Sequence, residues 1–144
     1  MHTTVTIPNA DTGARVVVHA LADADGGYVR EAAVELADSG LHARGVVDIQ
    51  CPDSGRDTDL AEFFQELAGS WRGWAGARTW RSLCGCLRLE ATHDGVGHVS
   101  LAATLAPLYE AWSARVVVQV EAGEQISQLA ADLREQSRDG QGNG

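Results

Sequence analysis

Lysine is missing altogether: all 11 basic residues are arginine, against 20 aspartates and glutamates, and the formal charge is -9. Such a surface repels phosphate backbones and anionic membranes, so neither nucleic acid nor a membrane is an expected partner. A basic protein or a neutral small molecule is allowed. Cysteine is scarce and odd in number, with only Cys51, Cys84 and Cys86, which suits reduced thiols better than a disulfide framework. No apolar run approaches the roughly 20 residues that cross a bilayer. The opening Met1 to Pro8 has neither the basic nor the apolar region of a secretory signal, so the expected location is the cytoplasm. Hydrophobic residues nevertheless reach 44%, well above the signature of disorder, and 144 residues suffice for one core but not for two ordinary ones.

The first half of the chain reads as strands. Thr3 to Ile7 is a short edge strand stopped by Pro8, which cannot donate to a ladder. Arg15 to Leu21 is a β-branched run closed by the turn formers Asp23 to Gly27. Tyr28 to Ala37 alternates, Asp38-Ser39-Gly40 turns the chain, and Leu41 to Ile49 returns, with Ala43, Gly45, Val47 and Ile49 on one side and His42, Arg44 and Asp48 on the other. After a loop from Cys51 to Asp57 the period changes. Leu60, Phe63, Phe64 and Leu67 form the stripe of a helix, capped by Asp59 with Glu62 three residues on and ended near Gly69.

Beyond a tryptophan-rich segment, Arg81 to Thr92 reads as one long strand and Val99 to Leu105 as its partner. Pairing Ala91 with Val99, Leu89 with Leu101 and Leu87 with Ala103 puts apolar residues on one face and leaves Gly97 at a positive-φ bulge. Ala114 to Glu121 is a last strand, and Ile126, Leu129, Ala130 and Leu133 mark a second helix. Short turns between neighbouring strands demand antiparallel pairing. The expected architecture is α+β: a single antiparallel sheet of six or seven strands with two helices packed on one face. Residues 1–135 form the expected domain, and 136–144, with nothing to bury, an expected disordered tail.

Three segments could carry chemistry. His93-Asp94-Gly95-Val96-Gly97-His98 offers two imidazoles and a carboxylate, but Asp-Gly is ordinary hairpin chemistry, and the assumed register points the two rings to opposite faces. Cys84-Gly85-Cys86 would place two thiols on one face of a strand. A single one-residue spacing is not a zinc pattern, however, so no metal and no cofactor is expected. The third segment holds Trp71, Trp74 and Trp80 within ten residues, beside Arg72 and Arg78; it is either the expected binding site, because large aromatics are rarely placed on loops without a partner, or a plug for the open end of the sheet beneath the first helix.

Phe63-Phe64, Leu67-Ala68, Trp71-x-Gly73-Trp74-x-Gly76, Trp80-x-Ser82, His93-Asp94-Gly95-x-Gly97-His98-Val99, Trp112 and Glu121-Ala122-Gly123-Glu124 resemble the pattern of a family of small actinobacterial proteins with no assigned activity. Similar patterns occur among immunity-type proteins encoded beside polymorphic toxins. The resemblance also implies a carboxylate after the Trp-x-Ser element, where Cys84 and Cys86 stand here.

Two functions are therefore weighed. The preferred one is a non-catalytic module that binds a protein partner, an immunity-like inhibitor in its sharpest form. Its demand is only a surface. The alternative is a small-ligand binder or cofactor-free biosynthetic enzyme with a pocket lined by Trp71, Trp74, Trp80 and Phe64, using His93 as acid–base with Asp94 or Glu90 as substitutes. An unpaired sheet edge makes a homodimer compatible with either.

Overall fold

A computed structural model describes residues 4–8, 13–20, 30–50, 59–82 and 85–141. Ten elements follow in order: β1 (Thr4–Ile7), β2 (Arg15–Ala20), β3 (Arg30–Asp38), β4 (Leu41–Gln50), α1 (Leu60–Gly69), β5 (Ala77–Arg81), β6 (Leu87–His93), β7 (His98–Leu105), β8 (Ala114–Glu121) and α2 (Glu124–Gln141). The turn expected at Asp23 to Gly27, the strand start at Tyr28 and the loop from Cys51 to Asp57 lie outside the described residues.

The chain is α+β, but the single sheet of six or seven strands is overturned. Two separate four-stranded antiparallel sheets form, in the orders β1-β2-β3-β4 and β5-β6-β7-β8. Two local facts account for the difference. Arg81 to Thr92 is not one strand: β5 ends at Arg81 and β6 begins at Leu87, with Gly85 at a φ of +76° and the Ser82 Oγ accepting from the Leu87 N–H at 3.1 Å. The extra strand this creates, β5, pairs with β6 and not with β4. With α1 inserted between β4 and β5, each becomes the edge of its own sheet.

The two sheets share one core. β8 packs against β2 and β3, β7 against β4, and α2 against β1, β2 and β8, while α1 lies along α2. The helices therefore pair with each other instead of lying side by side on one sheet face. Strict alternation explains the inner faces: Leu87, Leu89 and Ala91 on β6, Val99, Leu101, Ala103 and Leu105 on β7, and Ala114, Val116, Val118 and Val120 on β8 are all buried. Phe63, Phe64 and Leu67 from α1 and Ile126, Leu129 and Leu133 from α2 join the same cluster. Asp59 caps α1 as expected, its Oδ1 accepting from the Glu62 N–H at 2.7 Å. Between the helices, Arg134 donates to Gln65 Oε1 at 3.0 Å and lies 3.6 Å from Asp59 Oδ2. Past the point where the sequence offered nothing to bury, α2 continues to Gln141, and the buried Gln136 donates its Nε2 to the Val18 carbonyl at 3.0 Å.

The β6–β7 register is corrected by two residues: His93 pairs with Val99, Ala91 with Leu101, Leu89 with Ala103 and Leu87 with Leu105. The turn is tighter than the six residues assumed. Asp94 Oδ1 accepts from the N–H of Val96 at 2.7 Å and of His98 at 3.0 Å, and Gly95 and Gly97 both take positive φ. A shift of two leaves every side chain on its assigned face, so the core expected for this hairpin stands.

Candidate interaction surfaces

The tryptophan segment and the Asp-Gly turn, far apart in sequence, interlock. β5 and β6 are neighbours, so the loop entering β5 lies beside the turn leaving β6. His93 sits at the junction. Its Nε2 donates to the Trp71 carbonyl at 2.9 Å and its Nδ1 accepts from the Gly95 N–H at 2.9 Å, which assigns the hydrogen to Nε2. The Trp74 ring meets the imidazole edge-on at a centroid distance of 5.3 Å. Its other partners are the Arg78 guanidinium, 4.8 Å from the ring centroid, and the Ala91 carbonyl, which accepts from Nε1 at 3.1 Å. Arg78 in turn donates to Ser70 Oγ at 2.7 Å. Gly73 is required here: its φ is +125°, and a Cβ would stand 3.1 Å from His93 Nδ1.

This arrangement separates the residues singled out from the sequence. Trp80 is buried in the core, Trp74 and Arg78 are half-buried in the interlock, and Trp71 and Arg72 stand exposed, with the Arg72 guanidinium 5.1 Å from the Trp71 ring centroid. Phe64 is fully buried, so the four aromatics expected to line one pocket do not share a surface. A cleft of about 640 Å³ opens nearby between α1 and β5, lined by Phe63, Glu66, Leu67, Ser70, Arg78 and Thr79, with no tryptophan. The acid–base candidates diverge as well. Glu90 is exposed on the face of β6 opposite Leu89 and Ala91, and the Asp94 carboxylate is held below the usual range by the backbone N–H groups of Val96 and His98.

A second surface was not anticipated. β4 is the edge of its sheet, and a groove of about 410 Å³ runs along it against the β7–β8 connection, with Arg44, Val46, Pro107, Leu108, Glu110 and Trp112 among its walls. The connection is seated on Gly45, where a Cβ would come within 3.0 Å of Pro107 Cγ. Val46, Leu108 and Trp112 are exposed, and Tyr109, wholly in solvent, holds a φ of +66°. The available signal was weak: Leu108 and Tyr109 are large apolar residues in a proline-bearing connection that follows neither a strand nor a helix period.

A third group lies on the outer face of the first sheet. Across three strands, the Glu35 carboxylate is bonded by His19 Nε2 at one oxygen and by His42 Nε2 at the other, the latter at 2.7 Å, while His19 Nδ1 is 3.1 Å from Thr4 Oγ1. These hydrogen bonds, from His19 first and His42 second, hold the Glu35 carboxyl below the usual glutamate range. A depressed carboxyl contributes stability above its unfolded pKa and loses it as pH falls through the folded value. Glu35→Gln is therefore expected to cost under about 1 kcal/mol at neutral pH, since the group is partly exposed, with wild type and variant converging as the carboxyl protonates. Urea denaturation as a function of pH measures the difference; a constant gap down to pH 2 would contradict it.

Cys86 is buried and disulfide-bonded, which replaces the expected reduced thiol; its partner lies outside the described residues, as does Cys84. Among the described residues no group of three or more His, Cys, Asp or Glu is arranged to hold a metal ion. None of the described helices is long and apolar enough to cross a membrane.

Two ββββα units around one core, with an interlocked loop pair and a groove at the β4 edge, define a small α+β protein. The chain belongs to DUF6228, a family of unknown function, which it matches over residues 7–139. No curated protein and no solved structure matches it.

Proposed function

We propose that this chain is a non-catalytic binding module that recognises a protein partner, acting in the manner of an immunity-like inhibitor. The observation that carries the reading is one groove with exposed Val46, Leu108 and Trp112 in its walls, and the exposed Tyr109 next to Leu108 in the chain. Scattered apolar residues on a surface are ordinary, whereas a contiguous group with two aromatics is the composition of an interface centre. Tyr109 adds to this, because its left-handed backbone costs roughly 1 kcal/mol or more while its side chain stands wholly in solvent, with no hydrogen bond to another described residue to offset that cost. The interlock favours the same reading over catalysis at His93, since both ring nitrogens are already engaged by backbone groups.

The products of the neighbouring genes are the partners to test, by co-expression and native mass spectrometry. A one-to-one complex is expected, and Trp112→Ala should weaken it by about thirtyfold, as for an interface residue worth about 2 kcal/mol. Failure of every neighbour to bind, or a complex indifferent to Trp112, would remove the support for this reading.

A further inference from the structure

The strand register assembles a feature that the overall charge conceals. Arg81 pairs with Arg88, Arg88 with Thr104, and Thr104 with Arg115, so three arginines and a threonine form one row across all four strands of the second sheet. All three arginines are exposed on the outer face. None makes an ion pair or a side-chain hydrogen bond with another described residue. Arg81 and Arg88 stand directly opposite each other, a like-charge pair with Cβ atoms about 5 Å apart that destabilises the sheet unless an anion joins it. The next two rows of this face contain Glu90 as their one charged side chain and no aromatic ring.

We infer that this arginine row docks a carboxylate-rich segment of the partner protein, an inference that rests on the binding-module reading above. The charge argument is local. In a chain of net charge -9, three of the 11 arginines are concentrated in one uncompensated strip. With strands about 4.8 Å apart, the strip extends about 14 Å across the sheet, matching several acidic side chains in succession rather than one small anion, which a flat face cannot enclose. Guanidinium groups take carboxylates in paired, planar hydrogen bonds. A nucleic acid strand would also offer anions, but binding it on a sheet face relies on aromatic rings for base stacking, and these rows have none. The row lies at the end of the sheet where β7 passes into β8, because Thr104 and Arg115 adjoin the last pair, Leu105 and Ala114. That connection carries Leu108, Tyr109 and Trp112, so arginine and aromatic groups occur at the same end of the molecule, the composition of an interface hot spot.

The test follows the arginine Nε–Hε signals of the full chain by NMR while a ten-residue poly-glutamate peptide is added at low salt. Arg81, Arg88 and Arg115 should shift together and saturably, Arg15 and Arg72 should not, and added salt should reverse the effect. The R81Q/R88Q/R115Q variant should bind the peptide at least about tenfold more weakly, the loss of roughly 1.4 kcal/mol, without a lower melting temperature. If that variant does not fold, Arg88→Gln alone, at the centre of the row, serves instead. Equal shifts of all arginines, or none, would overturn the inference, as would tighter binding of a ten-nucleotide oligo-dT, or the same three shifts on concentrating the protein alone, which would make a second copy the occupant. Because the peptide needs no natural partner, the two readings fail separately: a complex with a neighbouring gene product that is sensitive to Trp112 but indifferent to the three arginines refutes only this one.

Discussion

Phe64→Ala is expected to lower stability by about 3–5 kcal/mol, the range for removing a buried aromatic ring and leaving a cavity. That is a large share of the roughly 5–15 kcal/mol that holds a domain of this size. Phe64 is fully buried and meets Phe63 edge-to-face, with centroids 5.8 Å apart and planes at 84°. Its position makes the loss global. α1 touches the rest of the molecule chiefly through α2, and α2 in turn covers strands of both sheets, so the ring lies in the one cluster common to both ββββα units. Guanidinium denaturation should show a lower midpoint with an unchanged slope. Two separate transitions in the variant would instead mean that the units hold together by other contacts.

The second large effect is expected at His93. Alanine there removes the bond to the Trp71 carbonyl, the bond from the Gly95 N–H and the edge contact with Trp74, at a combined cost of about 2–3 kcal/mol. Partial exposure lets water satisfy some of the freed groups, which keeps the figure below that for Phe64. The signature is local as well as global: the tryptophan fluorescence of the native state should change, because Trp74 loses one of its neighbours. His93→Gln, which keeps one donor and one acceptor, should recover part of the loss. If His93→Ala leaves stability and fluorescence untouched, the interlock is incidental, and a chemical role for the imidazole returns.

These two residues also mark where reading the chain succeeded and where it stopped. Phe64 was legible because Leu60, Phe63, Phe64 and Leu67 repeat at the helical period, and that spacing alone assigns them to a core. The faces of β3, β4, β6, β7 and β8 were legible for the same reason at period two. His93 reads as the first residue of the turn and is instead the last residue of β6, paired with Val99; its partners Trp71 and Trp74 stand some twenty residues away, and nothing periodic connects them. The expected tryptophan site failed as a unit because burial is decided residue by residue: Trp80 lies on the inner face of β5, Trp74 is enclosed by Arg78 and His93, and only Trp71 remains exposed.

The sequence by itself determined most of the strands and both helices, though not β5, together with which side of each is apolar and that neighbouring strands run antiparallel, because these follow from local periodicity and short connections. Only the tertiary structure decided that eight strands divide into two sheets, that Val46, Leu108 and Trp112 border a groove at the β4 edge, that His19, Glu35 and His42 meet across three strands, and that Arg81, Arg88 and Arg115 line up in an acidic protein. Each of these depends on which edges pair and in what register. Register is set by turn geometry, such as the positive φ of Gly85 and the Asp94 hydrogen bonds, and a difference of one or two residues there moves every cross-strand neighbour while leaving the hydrophobic pattern of the individual strands unaltered.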